Sequence, residues 1–282
     1  MATRGEIGPA FPGNSAPIAR VAAGSIEARA ELAVAVAQEA AGLAMEYFGD
    51  RSRLALRSKG LRDHVTAADH AVEALVRGRI ARAFPGDGFL GEESGGAVSP
   101  SLWVVDPIDG TANFARGLPS FAVSIAFCAD GKPVLGVVAE PAAGAIYAAR
   151  RGGGAFKNGT AIRASATASL DQSLVEFGYT ERRSAADNLA LMRRLVDAGC
   201  DVRLVGSATL GLARVAEGRI DGYCELHLRS WDVLAGMLLV TEAGGMTSDF
   251  LAGGGLTHGN PMLAAAPGVA AGLARIMGLK TA

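Results

Sequence analysis

The stretch Trp103-Val104-Val105-Asp106-Pro107-Ile108-Asp109-Gly110-Thr111 joins an apolar run to a dense acidic turn. Consecutive large apolar residues predict a short buried strand, which carries Asp106 at its C-terminal end. Pro107 fixes φ and is expected to turn the chain there. Asp109 follows closely enough for both carboxylates to face one point. Gly110 lets a ligand approach the backbone, and Thr111 offers a hydroxyl and an N–H. Two carboxylates and a backbone carbonyl are the oxygen donors that a hard cation such as Mg²⁺ takes. The same letters also write a Pro-Asp-Gly turn closed by Asx hydrogen bonds, and the segment alone leaves both readings open.

Upstream, the periodicity predicts two helices. Residues 26–48 place Leu32, Val36, Ala40, Leu43 and Tyr47 on one stripe, ended by Gly49-Asp50. A second helix starts near Thr66, buries Val72, Leu75, Val76, Ile80 and Phe84, and stops at Pro85-Gly86. Downstream, residues 121–128, 134–139 and 145–149 read as strands of an antiparallel sheet, with hairpin signals at Asp130-Gly131 and Asn158-Gly159. Beyond about 165, helices over 184–198, 207–217 and 231–243 alternate with extended segments over 202–205, 220–226 and 262–265. Gly244-Gly245 caps the last of these helices. The pattern predicts a mixed α/β (α+β) fold of two sheet-and-helix halves, residues 25–150 and 151–282, packed in layers. A flexible tail over 1–24 is expected to precede them.

The bulk numbers narrow the function. Half of the 282 residues are hydrophobic, enough for a large core, and the formal net charge is −1. No strong field draws such a chain to nucleic acid or to an anionic membrane. Cys128, Cys200 and Cys224 are far apart and odd in number, with no zinc spacing, so buried free thiols are expected. No apolar stretch approaches the length of a membrane span and no secretory leader is recognised, which predicts a cytoplasmic protein. His64, His70, His227 and His258 show no ligand spacing and suit surface or supporting positions.

Further acids stand near element junctions. Glu92 lies in the glycine-bounded loop Gly91-Glu92-Glu93-Ser94, where a solvated carboxylate would be ordinary. Asp232 follows Trp231 at a helix start, where it complements the helix dipole. Thr66-Ala67-Ala68-Asp69 fits a capping box with Asp69 at N3.

Taken in order, Val65-Thr66-Ala67-Ala68-Asp69, Gly91-Glu92-Glu93-Ser94, Trp103 through Phe114, and Trp231-Asp232 with Thr241-Glu242-Ala243-Gly244-Gly245 resemble the inositol monophosphatase family. The resemblance runs from about residue 27 to 280. It implies a layered α-β-α-β-α sandwich of the sugar-phosphatase type and a lithium-sensitive, Mg²⁺-dependent hydrolysis of a small phosphate monoester. Carried over residue by residue, it implies that Glu92, Asp106 and the carbonyl of Ile108 hold one Mg²⁺. Asp106, Asp109 and Asp232 would hold a second, and Asp69 a third and weaker one through the outer shell. Thr111, with Asp63 or Asp69, would orient the attacking water, and Gly110 and Thr111 would give N–H bonds to phosphate. Attack would be in line by metal-activated water, with no covalent intermediate. Lys59 keeps the family's spacing to Asp69, whereas Arg62 and His64 are less usual in that loop. For the ester, Glu225 and the stretch Gly206-Ser207-Ala208 match substrate positions and favour a polyol phosphate such as inositol 1-phosphate. Glu225 would equally pair with the ammonium group of histidinol phosphate, an amino-alcohol ester. A regulatory or binding protein on this fold is the alternative of another class. The family also implies a homodimer.

Overall fold

The computed structural model describes residues 24–50, 52, 54, 57–60 and 63–279, with 57–60 and 63–65 described by backbone alone. The expected tail lies outside these residues apart from Gly24. The described residues open with α1 (Ile26–Gly49), β1 (Arg57–Gly60), β2 (Asp63–Val65), α2 (Ala67–Ala83), β3 (Gly88–Gly91), β4 (Ser101–Asp109) and α3 (Thr111–Arg116). The strands β5 (Ala122–Ala129), β6 (Lys132–Glu140), β7 (Ala145–Arg150), β8 (Gly154–Lys157) and β9 (Thr160–Ala161) follow. Then come β10 (Leu174–Phe177), α4 (Ala185–Asp197), β11 (Asp201–Arg203), α5 (Ala208–Ala216), β12 (Gly222–Leu228) and α6 (Ser230–Glu242). The chain closes with β13 (Met246–Thr247), α7 (Gly255–His258), β14 (Asn260–Ala265) and α8 (Pro267–Met277).

Strands β3 to β9 form a seven-stranded sheet in chain order. The β3–β4 pair is parallel and the remaining pairs antiparallel. A five-stranded mixed sheet has the order β11-β10-β12-β14-β13. Side-chain alternation explains how the layers stack. On β4, Trp103 and Val105 join the core under α1 and α2, while Leu102 and Val104 join the core under α5 and α6. Tyr223 of β12 and Ala264 of β14 close that second core from the other sheet. Val175, Phe177, Cys224 and Leu263 point the other way, onto Leu191, Leu195, Val269 and Leu273 of α4 and α8. The result is α1/α2, sheet, α5/α6, sheet, α4/α8, the expected α-β-α-β-α sandwich.

Both hairpin signals give positive φ at paired positions, Asp130 at 48° with Gly131 at 73° and Asn158 at 47° with Gly159 at 78°. Other expectations need correction. The buried face of α1 is Ala33, Val36, Ala37, Ala40 and Ala44, with Leu32, Leu43 and Tyr47 only partly buried. Alanines weigh little in a hydrophobic stripe but allow the neighbouring backbone to come close. Leu75 of α2 is likewise only partly buried, while Glu73 is buried. Pro107 does not end its strand. β4 runs on to Asp109 through a bulge in its pairing with β5, Asp106 opposite Ser124 and Asp109 opposite Ala122. The missing proline N–H is accommodated where the ladder is already broken.

Candidate metal centre

Four elements converge at the C-terminal ends of β3 and β4. The bulge in β4 aims both of its aspartates at one place. Oxygens of Asp106 and Asp109 meet one from Asp232, in the first turn of α6, all within 4.8 Å of one another. In each carboxylate one oxygen is held by the fold. Asp106 Oδ1 accepts the Ile108 N–H at 2.9 Å. Asp109 Oδ2 accepts the Ser207 hydroxyl at 2.6 Å and the Thr209 N–H at 2.7 Å. Asp232 Oδ2 accepts the Arg229 N–H at 2.8 Å. Thr209, at the start of α5, also donates to the Asp232 carbonyl at 3.0 Å, which ties α5 to α6 beneath the cluster.

The electrostatics are unfavourable for the protein alone. Burial pushes the Asp106 carboxyl well above its ordinary value, and Glu92, Asp109 and Asp232 push it further. Glu92 is both a charge neighbour and a hydrogen-bond partner of Asp106. Burial raises Asp109 despite its bonds from Ser207 and Thr209. Burial, and then the Asp109 charge, push Asp232 up to about 8. Among the described residues, no lysine or arginine forms an ion pair with these three aspartates. Two ionised carboxylates at this separation repel by about 3.5 kcal/mol at an effective dielectric of about 20. Three such pairs would consume most of a typical folding stability of about 5–15 kcal/mol. The cluster therefore holds protons or a cation, and an all-oxygen donor set suits a hard divalent ion.

Asp69 fills the N3 position of the capping box on α2. Its Oδ2 accepts the Thr66 N–H at 2.8 Å and the Thr66 hydroxyl at 2.6 Å. Its Oδ1 lies 3.2 Å from the Thr111 hydroxyl, which also stands 2.9 Å from the Ile108 carbonyl. The capping role and a place beside the site thus coincide. Burial raises the Asp69 carboxyl against the bonds from Thr66. Gly110 has φ of 92°, and a Cβ there would sit 2.9 Å from the Ser120 carbonyl, so the turn into α3 requires glycine. Phe48, Phe114 and Phe121 pack edge to face and tilted beneath α3 at centroid distances of 5.6, 5.0 and 4.8 Å. The side chains of Lys59 and Asp63 lie outside the described part of the structure.

Beside the cluster opens a cleft of about 220 Å³ bounded by Asp109, Asp232, Gly206-Ser207-Ala208, Glu176, Tyr223 and Glu225. Tyr223 and Glu225 lie two apart on β12 and so share a face, and the Tyr223 hydroxyl donates to Glu225. Glu176 is paired with Tyr223 in the β10–β12 register and presents its side chain to the same side. Burial pushes Glu225 up to about 8 and Glu176 up to about 7. Glu176 and Tyr223 are absent from the expected site. Their signal was the period-two spacing Tyr223-x-Glu225 and an acid between two apolar residues in Val175-Glu176-Phe177. Of the histidines, His70 and His258 are exposed. His227 is part-buried, with Nε2 3.0 Å from the His258 carbonyl.

A layered sandwich with an acidic cluster at strand ends, opening on a small polar cleft, is an arrangement that fits a metal-dependent phosphomonoester hydrolase. The comparisons agree. The profile of the inositol monophosphatase family matches residues 25–278, and the chain belongs to that family. It is 40% identical over 212 residues to the inositol-1-monophosphatase of Rhizobium meliloti, covering 73% of this chain and 80% of the relative. It is 38% identical over 241 residues to Nus factor SuhB of Escherichia coli K12, covering 82% and 90%. The extragenic suppressor protein suhB of Bartonella henselae superposes with a TM-score of 0.83 at 34% identity, over 88% of this chain and 97% of that one. No described helix is long and apolar enough to cross a membrane.

Proposed function

We propose that the chain hydrolyses a small phosphate monoester with Mg²⁺, and that inositol 1-phosphate is the favoured ester. The carrying observation is the uncompensated cluster of Asp106, Asp109 and Asp232, which opens directly into the cleft holding Glu225. Glu92, Asp106 and the Ile108 carbonyl would hold one ion, Asp106, Asp109 and Asp232 a second, and Asp69 a third through water. That makes two to three ions per site. Bound Mg²⁺ supplies neutralisation of the phosphate dianion, a more acidic water and stabilisation of the leaving alkoxide.

The chain's own residues do the rest. The Thr111 hydroxyl has one proton to donate, to Asp69 or to the Ile108 carbonyl, and its lone pairs then face outward to accept from the attacking water. Asp69 is locked in place by Thr66, so Thr111 is oriented in turn. Asp63 on β2 and Lys59 on β1 belong to the same proposal. The N–H groups of Gly110 and Thr111, at the start of α3, are free of intrahelical bonds by their position and suit phosphate oxygens. Ser207, Asp232, Gly206 and Ala208 line the cleft and would contact the ester. The cleft volume is small for a ligand site, which suits a single ring. Glu225, kept protonated by burial near neutral pH, can both donate to and accept from polyol hydroxyls.

A second reading rests on the cleft wall. It carries two buried carboxylates, Glu225 and Glu176, the second of them met by Arg214 at 3.6 Å, and no lysine or arginine among its lining residues. That wall also suits the ammonium of an amino-alcohol phosphate such as histidinol phosphate. A phosphate-release panel with Mg²⁺ on inositol 1-phosphate, histidinol phosphate, adenosine 3′,5′-bisphosphate and fructose 1,6-bisphosphate separates these. A hundredfold preference for histidinol phosphate would overturn the substrate choice. No Mg²⁺-dependent release from any ester would favour a binding or regulatory role instead. A homodimer and a cytoplasmic location complete the proposal. Three buried free cysteines fit a reducing compartment, and light scattering at twice the chain mass would support the dimer.

A further inference from the structure

Glu73 sits one turn beyond Asp69 on α2, so both acids leave the same helix face. It is 3% exposed. Its carboxylate reaches past the end of β3 to the loop that bears Glu92. Oε2 accepts the Glu93 N–H at 2.8 Å, and Oε1 accepts the Ser94 N–H at 3.0 Å. The Ser94 hydroxyl donates to Oε1 as well. Arg77, a further turn along α2, donates to Ser94 Oγ and to the Gly95 carbonyl, and its guanidinium lies 4.4 Å over the Phe89 ring.

The loop is built around this carboxylate. Gly91 and Gly95 exchange backbone hydrogen bonds at 3.1 and 2.9 Å and close a tight turn over residues 92–94. A Cβ at position 91 would lie 2.4 Å from Glu73 Oε2, so any larger residue there would have to displace the carboxylate. The Glu92 N–H donates to the Val105 carbonyl at 3.1 Å, which sets Glu92 beside Asp106 on the neighbouring strand. The loop is thus pinned on one side by β4 and on the other by Glu73. Without Glu73, the N–H groups of Glu93 and Ser94 would lose their acceptor, and the turn would be free to swing the Glu92 carboxylate out of the cluster.

We propose that Glu73 is a positioning residue that sets metal affinity by fixing the Glu92 loop. One helix then organises both sides of the centre, Asp69 orienting Thr111 and Glu73 orienting Glu92. The proposal rests on reading Glu92 as a ligand of the metal.

The test is calorimetric titration of Mg²⁺ into the metal-free, substrate-free protein, with thermal melting in chelator alongside. Glu73→Gln keeps the side-chain shape but sets an amide NH₂ against one of the loop N–H groups. Its Mg²⁺ dissociation constant is expected to rise tenfold or more, while kcat at saturating Mg²⁺ stays within threefold of wild type. Ser94→Ala leaves the charge of Glu73 intact and removes one donor to it. It is expected to weaken Mg²⁺ two- to fivefold in the same sense, and it carries the test should Glu73→Gln not fold. An unchanged dissociation constant in a folded Glu73→Gln, even with a lower melting temperature, would overturn the positioning role. So would a folded Ser94→Ala with wild-type affinity if Glu73→Gln does not fold. Failure of the wild type to bind Mg²⁺ would instead overturn the metal-centre reading beneath it.

Discussion

The two ends of β3 and β4 carry buried acids that the fold treats in opposite ways. At the N-terminal end, Asp87 takes a two-pronged pair from Arg29 at 2.7 and 2.8 Å and the Trp103 indole N–H at 2.9 Å. Arg29 lies 4.4 Å over Phe84 and 4.9 Å over Phe127, so its charge is held between rings. Burial alone would raise Asp87, but the bonds from Arg29 and Trp103 outweigh it and hold the carboxyl below its usual range. At the C-terminal end, Asp106, Asp109 and Asp232 are oriented with equal care, yet every donor to them is a neutral N–H or hydroxyl. One acid has its counter-charge from the chain. The other three form no ion pair with a lysine or arginine among the described residues, which is the pattern of a site that gives up stability for a ligand.

Substitution to asparagine breaks the comparison most sharply. Asp106→Asn is expected to lower Mg²⁺-dependent phosphate release by about a thousandfold or more, since the proposed site would lose the carboxylate it assigns to two ions. In chelator its melting temperature should equal or exceed wild type, since one repelling charge is gone. Asp87→Asn should do the reverse. It leaves the half-buried Arg29 without its partner, at a cost of about 1–3 kcal/mol, below the range for broken fully buried pairs, with kcat nearly unchanged. Phosphate release and chelated melts on both variants decide it, and a destabilised but active Asp106→Asn would contradict the distinction.

pH separates the two ends next. Asp232 is raised to about 8, and Asp106 and Asp109 are raised with it. The folded, metal-free state therefore binds more protons than the unfolded chain. Its stability is full below the unfolded value near 4 and is lost as pH rises towards 8, by about 1.4 kcal/mol per pH unit for each proton released on unfolding. Asp87 is lowered, so its contribution is present above about pH 4 and lost on acidification. Chelated melts should fall from pH 5 to 8, and saturating Mg²⁺ should flatten that slope. A metal-free protein that grows more stable over this range would show that the cluster is compensated from elsewhere.

The site was legible where its residues announce chemistry by local order. The Asp106-to-Thr111 run, the Glu92 loop and the Trp231-Asp232 pair are short and contiguous, and the structure draws them to one place. What reads poorly depends on tertiary context. Glu73 falls on a helix where an acid normally marks the wet face, and only the loop folded over it buries it. Glu176 lies in a strand of four residues, too short for alternation to register. The fold shows the same limit. α8 begins at Pro267 and contains Gly268 and Gly272, so its letters look like a broken segment, although proline at a first helical position is favourable. The alanine face of α1 and the bulge at Pro107 are packing outcomes that periodicity does not encode.

Substitution in the cleft gives an intermediate effect. Glu225→Gln keeps hydroxyl contacts but cannot ionise when an ammonium is placed beside it. A polyol phosphate should lose about tenfold or less in kcat/KM, and an amino-alcohol phosphate about a hundredfold, the scale of a charge-assisted bond broken out of water. Equal losses for both esters would mean that Glu225 does not read the leaving group.

The smallest effect tests whether distance or burial makes Arg29–Asp87 different. Arg79 and Glu39, on α2 and α1, form an ion pair of 2.8 Å, as short as the Arg29–Asp87 contact. Its side chains are 48% and 42% exposed, against 13% and 5% for Arg29 and Asp87. Water solvates each exposed partner nearly as well as the other ion does, and ordering two long side chains opposes the gain. Arg79→Ala should therefore change stability by about 0.5 kcal/mol or less, and the difference should shrink further in high salt. Melts of Arg79→Ala and Asp87→Asn at low and high salt compare the two pairs directly. If Arg79→Ala cost as much as Asp87→Asn, proximity alone would be setting the strength of these pairs. Burial without a counter-charge would then no longer distinguish the acidic cluster from Asp87.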